Sequence, residues 1–307
     1  PGSFGMMLAF MCLWSLGMHL FMPISSSLTI FLTRSGAGGT RLGQVRSLRD
    51  FSFLIGALLV WTMMGPLNLG YSHLYLWSTV LVLAAAVCFW KLNLAAAPRP
   101  DRIRWVYHRR YSLFYLLNLF FGIRKQMFLT FAPLVLILYY GLKPSHFAIL
   151  MLISASIGTF FGTAVGKLVD LLGERFVLVS DSVLLFTVSI CYSLVTRESV
   201  GTGPALYILC GCYVLDHVLF SARVAHVTYL KKILLEPSHL TPTLALGTTI
   251  DHLFAMTMPL AGGLLWHFVN YQAVFLPVAG LAVVMGVASC FTTGRHLASR
   301  QENSPAA

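Results

Sequence analysis

The sequence predicts an all-α membrane protein, a helical bundle of about nine transmembrane spans. Three observations carry that reading. Of 307 residues, 57% are hydrophobic and only 10% are charged, where a soluble domain carries roughly 25% charge. The apolar runs reach about 20 residues, the length a helix needs to cross a bilayer. The alternating strands of a membrane barrel are only about ten residues long. Finally, the basic residues fall in every second connection between the runs. A bilayer core leaves no water for the backbone, so the chain must satisfy its amides within helices.

In chain order the apolar segments fall at 4–33, 42–66, 71–93, 112–140, 144–167, 176–195, 203–230, 241–268 and 271–293. One set of connections holds Arg34, Arg41, Arg46, Arg49, then Lys91, Arg99, Arg102, Arg104, Arg109, Arg110, then Lys167, Arg175, then Lys231, Lys232, and the tail residues Arg295 and Arg300. Those are 16 of the 21 basic residues, and the opposite set holds only Lys143 and Arg197. The positive-inside rule then places the first set and the C-terminus in the cytoplasm. The formal charge of +11 is therefore a topology signal, and no nucleic-acid partner is expected. The six cysteines all lie in apolar runs, without a disulfide or metal framework. The first residues, PGSFGMMLAF, lack the basic region of a signal peptide.

The most specific stretch is Gly158 to Leu178, GTFFGTAVGKLVDLLGERFVL. Gly158, Gly162 and Gly166 recur every four residues, which puts three glycines on one helix face and lets a neighbouring helix approach closely. A short charged turn follows, with Gly166, Leu168, Asp170, Gly173 and Arg175 in the pattern G-x-L-x-D-x-x-G-x-R. This string resembles the signature loop of the major facilitator superfamily. The strings GIRKQMFLTFAP and YVLDHVLF with YLKKI look like a bacterial-type branch of it. The resemblance implies two six-helix halves joined by a basic cytoplasmic linker. It implies that Asp170 lies by the N-terminal end of a neighbouring helix and, with Arg175, holds a cytoplasmic gate closed. The drug-efflux branch is matched less well, since the fifth-helix position shows only Gly56 and then Gly65-Pro66.

The stretch Lys91 to Arg110 divides three spans from six. Residues 1–93 are read as the remainder of an N-terminal half with three helices, 94–111 as the linker, 112–295 as a six-helix C-terminal half and 296–307 as a cytoplasmic tail. Leu16, Leu20 and Phe21 align with Leu215, Leu219 and Phe220 at an offset of 199, and Gly43 and Trp61 fall near the offsets of Gly247 and Trp266. The halves of the superfamily are parallel repeats. The expectation is thus helices four to twelve of twelve, with three helices, on the order of 100 residues, preceding Pro1.

Several charges lie deep in the spans: Arg124, Lys125, Asp216, Arg223 and Asp251. A charge at a helix centre costs about 3 kcal/mol on insertion scales, so the five would cost roughly 15 kcal/mol facing lipid. They are expected to face one another or a water-filled cavity, as substrate-binding or coupling groups. The resemblance places Arg124 and Lys125 on helix seven, Asp216 and Arg223 on helix ten, and Asp251 on helix eleven, in or beside the central cavity. Helices three, six, nine and twelve are implied to sit outside. Asp181, on the ninth, is expected near the cytoplasmic interface. His19 is the histidine expected at the cavity by repeat position. His217 and His252 each follow an aspartate, and adjacent helical residues point about 100° apart, so neither pair is expected to bind metal. Pro23, Pro133 and Pro259 are expected to bend their helices. The aromatic rows around Phe120, Phe121, Phe128 and Phe131 are expected to pack.

Nucleotide, dinucleotide, nucleophile-elbow and metalloprotease motifs are missing from the sequence. The expectation is a secondary active transporter, not an enzyme, with no cofactor and no metal. It would move a small organic solute across the cytoplasmic membrane by alternating access, coupled to protons, as a monomer in the lipid bilayer. Two alternatives stand beside it: export of a drug or metabolite by proton antiport, and a receptor or scaffold that keeps the fold without transport.

Overall fold

The computed structural model describes residues 4–33, 37–64, 66–91, 106–142 and 144–292. The described residues form eleven α-helices with three short 3₁₀ turns and no strand. They are α1 (Phe4–Phe31), α2 (Gly38–Met64), α3 (Tyr71–Trp90), α4 (Ser112–Tyr140), α5 (Pro144–Leu172), α6 (Glu174–Leu194), the single turn α7 (Arg197–Val200), α8 (Thr202–Leu219), α9 (Arg223–Ile233), α10 (Leu240–Phe268) and α11 (Gln272–Cys290). A 3₁₀ turn at Phe220–Ala222 runs α8 into α9. Of the expected linker only 106–111 is described, and the expected tail lies outside the described residues.

Nine long helical segments thus stand where nine apolar runs were expected. Seven are long and apolar enough to cross a membrane by length and composition: α1, α3, α4, α5, α6, the α8–α9 unit and α11. The protein is a multi-span, all-α membrane protein. α2 and α10 fall outside the seven. The first half of α2 carries Arg41, Arg46, Arg49 and Asp50, and α10 carries Asp251, His252 and several threonines. Arg46 and Arg49 were counted with a connection in the sequence reading, although its own run 42–66 already contains them. The helix begins at Gly38, so both lie inside it.

Glycine sets the closest helix pair. α2 lies along α5, with Gly39 and Gly43 of α2 against Gly166 and Gly162 of α5. A Cβ on Gly166 would sit 3.0 Å from the Thr40 Cα, and one on Gly162 would sit 3.1 Å from the Gly43 oxygen and 2.9 Å from the Ser47 Oγ. The helices therefore meet backbone to backbone. Ser47 Oγ bridges them, accepting from the Thr163 N–H at 2.8 Å and lying 2.9 Å from its hydroxyl. Gly158 completes the row against Asp50. Gly173 turns the chain from α5 into α6 at a φ of +89°, a left-handed conformation that costs glycine nothing.

α4 pairs with α10 and α6 with α11, while α8 packs on α5, α6 and α4. Two apolar clusters result. One, toward the end that holds residues 31–33, 37–38, 172–174 and 233–240, contains Tyr111, Phe114, Leu117, Leu178, Leu230 and Leu240. The other contains Phe128, Leu136, Leu185, Tyr192, Leu209 and Phe275. Between them in sequence fall Arg124, Asp181, Asp216 and Asp251, so the charges form a layer between two apolar floors. α3 buries no residue, and α1 buries only Pro23, Ser27 and Ile30. Such continuous apolar surface matches lipid rather than water.

The glycine row makes the first prediction. Gly43→Ala should force α2 from α5 and destabilise the protein by about 1–3 kcal/mol, read as a lower thermal unfolding midpoint in detergent. Gly56→Ala, on the same helix with nothing within 4 Å, should leave the midpoint unchanged. Equal effects would remove the packing role.

Candidate functional site

The site begins with the sequence Phe121, Arg124, Lys125 on α4. Spacings of three and four put these on one helix face. Their partners come from four other helices and sort into two groups.

The first group is closed. Arg124 is fully buried, and its Nη1 donates to both oxygens of Asp181 at 2.8 and 2.7 Å. Its Nη2 reaches Asp216 on α8 at 3.5 Å. Asp181 and Asp216 are themselves buried. The guanidinium lies 5.7 Å from the Phe121 ring centroid and 5.5 Å from that of Phe220. Its Nε has no partner among the described residues. The expectation that Asp181 reaches an interface is corrected here. Asp181 stands two turns into α6, under the apolar cluster, and a buried carboxylate there must take the nearest cation.

The second group is open. Asp251 is fully buried, and its two oxygens accept from Lys125 at 2.5 Å and Arg223 at 2.8 Å. The two cations keep 15% and 28% of their side-chain surface exposed. Asp251 is thus capped by cations whose other donors remain free to reach outward. Gly122 makes the pairing possible, since a Cβ there would overlap the Asp251 backbone. Arg223 lies 5.1 Å from the Phe121 centroid and Lys125 lies 5.9 Å from it. One buried ring therefore stands between both groups and meets three cations, each contact worth on the order of 1 kcal/mol. The sequence reading gave Phe121 a packing role only, although its spacing from Arg124 and Lys125 was visible.

His19 of α1 meets His252 of α10, with ring centroids 4.5 Å apart. His19 Nδ1 donates to the Ser15 carbonyl at 2.7 Å, and His252 Nε2 is buried without a partner among the described residues. At 1.5 Å of rise per residue, His19, Lys125, Arg223, Asp251 and His252 lie about 15–20 Å along their helices from the end that holds residues 31 and 240, near the middle of a ~30 Å hydrocarbon core. Asp216 and Arg223 take different partners, Arg124 and Asp251.

α2 adds groups that the sequence reading placed elsewhere. Arg46 Nε donates to Asp50 at 3.1 Å, one turn on. The pair lines a cavity of about 180 Å³ with Phe53, Met151, Ser154, Ala155 and His217. Arg49, on the same helix, is exposed.

At the end where α2 begins, Asp170 accepts from the Gly39 and Thr40 amides at 2.8 and 2.6 Å. These are unpaired donors of the first turn of α2, where the helix dipole favours an anion. This is the placement the family resemblance implied. Gly166 packs on Gly39 beside it, and Gly173 makes the turn. Arg175 is exposed and forms no ion pair among the described residues. Lys232 of α9 reaches Glu174 at 2.6 Å. No His, Cys, Asp and Glu group that could hold a metal occurs among the described residues.

No protein-family model matches the chain, and no curated protein sequence matches it.

The closed group yields a prediction. Arg124→Gln leaves two buried carboxylates without their cation and should destabilise the protein by about 3–5 kcal/mol. Adding Asp181→Asn should recover much of that loss. Thermal unfolding of the single and double variants reads it, and a single variant as stable as the parent would show that the group is not structural.

Proposed function

We propose that the protein is a secondary active transporter of the major facilitator type. It moves a small organic solute across the cytoplasmic membrane by alternating access, with proton coupling. The observation that carries this reading is the open group: Lys125 and Arg223 over the buried Asp251, at mid-depth, where α4, α9 and α10 meet α1. Charges are costly at that depth, and a set that remains partly exposed there marks a solute or ion path. The cations outnumber the carboxylate, which favours an anionic solute.

Support comes also from the packing. α1 and α2 precede the expected linker, and α4 to α11 follow it. The Asp170 contact to the α2 amides crosses between these two sets at one end. It joins them through two hydrogen bonds to a helix terminus, beside the glycine face and the Ser47–Thr163 contact that also cross between the sets. With that end cytoplasmic, Asp170 acts as the inner gate. Asp181 departs from the family pattern, since an outer helix there supplies a partner to a cavity helix.

Two measurements test this. Purified protein in liposomes carrying an internal pH dye should show proton movement driven by at least one solute of an acid, base and neutral panel. Asp251→Asn should abolish that movement while the variant still folds and inserts. Opposite proton and solute directions would mean export by antiport, and folded, inserted protein without any driven flux would leave a receptor or scaffold. Asp170→Asn should weaken the closed inner gate, read as reduced cysteine crosslinking between the start of α2 and the α5–α6 turn. Unchanged crosslinking would sink the gating role.

A further inference from the structure

Two histidines meet between the two sets of helices at mid-depth. His19 stands on α1, before the expected linker, and His252 on α10, after it. Their ring centroids are 4.5 Å apart, edge to face. His19 Nδ1 donates to the Ser15 carbonyl at 2.7 Å, so its hydrogen is on Nδ1 and its Nε2 carries a lone pair. His252 makes no hydrogen bond among the described residues, and its Nε2 is sealed from solvent. A buried polar atom without a partner is costly, and in a native structure it calls for an explanation. The ring packed against it offers one.

The charged groups around the pair come from the helices that pack on α1 and α10. Asp251 directly precedes His252 and accepts from Lys125 of α4 and Arg223 of α9. Arg124 of α4 is taken up by Asp181 and Asp216. His226 of α9 is buried against Phe121, and Lys231 and Lys232 lie in the last turn of that helix. α11 carries no charged residue. α2, which also packs on α1, carries Arg41, Arg46, Arg49 and Asp50, with Arg46 and Asp50 paired.

We propose that His19 and His252 together hold one proton, and that this is the proton coupled to solute movement. The proton comes from water and adds to the free nitrogen of one ring, which becomes an imidazolium. Its N–H then donates to the lone pair of the other ring. A turn of the His252 ring, which no hydrogen bond holds, brings one of its nitrogens to Nε2 of His19. One N–H bond forms, no bond within the protein breaks, and the site gains one positive charge. A hydrogen bond with an ionised donor is roughly twice as strong as a neutral one. The pair therefore binds its first proton more tightly than either ring would alone. The loaded pair ties α1 to α10, and loss of the proton frees the two sets at mid-depth. Lys125 and Arg223 outnumber Asp251 beside the pair, so an anion arriving there eases proton binding, and the proton eases anion binding in return. The coupling role rests on the transporter reading, while the shared proton is a binding claim.

The test uses the full chain, purified in detergent with a chelator present. Isotope-labelled histidine is followed by NMR from about pH 5 to 8, where imidazoles titrate. His19→Gln and His252→Gln assign the two rings. In the parent both rings should shift at one midpoint as a single proton binds. In each variant the remaining ring should bind its proton about tenfold less tightly, with a midpoint about one pH unit lower. A remaining ring that binds its proton as tightly as in the parent, or more tightly, would overturn the proposal, since rings that only repel behave so. Two separate midpoints in the parent would overturn it as well, and they are read even where a variant fails to fold. A titration that appears only after the chelator is added would mean that the rings hold a metal ion instead. The two readings fail separately. One shared proton, with no solute-driven proton flux in liposomes, would keep the site and remove transport. Driven proton flux that survives both His19→Gln and His252→Gln would keep transport and remove this pair as the carrier.

Discussion

The structure depends on charge that cannot be hydrated. Arg124, Lys125, Asp181, Asp216, Arg223 and Asp251 come from five different helices, and each would be costly against lipid. They converge because each removes the cost of another. Three cations meet three carboxylates, so this layer is neutral in sum. The apolar clusters on either side then have a fixed floor and ceiling. Hydrophobic burial contributes little between helices that could be solvated by lipid tails, so interhelical contact in a bilayer rests on close packing and polar pairing. α4 shows both devices within a few residues. Gly122 lets α10 come close, and Arg124 and Lys125 then reach α6, α8 and α10.

The two charge groups differ in what they leave unmet. Around Arg124 both carboxylates are buried, the cation has no exposed surface, and two aromatic rings cover its faces. Movement there would strand a buried charge, so this group fixes α4, α6 and α8 as one body. Around Asp251 the burial is one-sided. The carboxylate is sealed while its cations are partly exposed. An arriving anion can share Lys125 and Arg223 without evicting Asp251. Chemistry at the open group is therefore separable from the scaffold, with Phe121 as the partition.

Much of the architecture was legible because it follows from single-helix properties. The expected run 112–140 is the helix Ser112–Tyr140, and the four-residue glycine spacing met its partner helix. The deep charges were legible as a set, since insertion cost depends on residue type and position alone. Their pairing was not, because it depends on which helices become neighbours. Arg124 takes Asp181, a residue assigned to an interface from its nearness to a helix end. Arg46 and Arg49 were misread for a related reason. Counting basic residues near span ends treats them as loop charges, even though both lie within the expected run 42–66. An i,i+4 aspartate then lets Arg46 enter the helix.

The α2–α5 contact joins these observations into a mechanical argument. Its surface is a row of glycines on each side, so the two helices touch through backbone atoms with few interlocking side chains. Such a face permits close approach and presents little to catch when one helix tilts on the other. The polar contacts that fix the tilt lie at two defined heights: Asp170 on the first amides of α2, and Ser47 with Thr163 two turns on. Both hold α2 by hydrogen bonds. The Asp170 contact favours closure at the end where α2 starts. A single rigid helix carries both contacts, so a tilt of α2 at Ser47 acts on the contact at Gly39 and Thr40, about 11 Å away along the same rod.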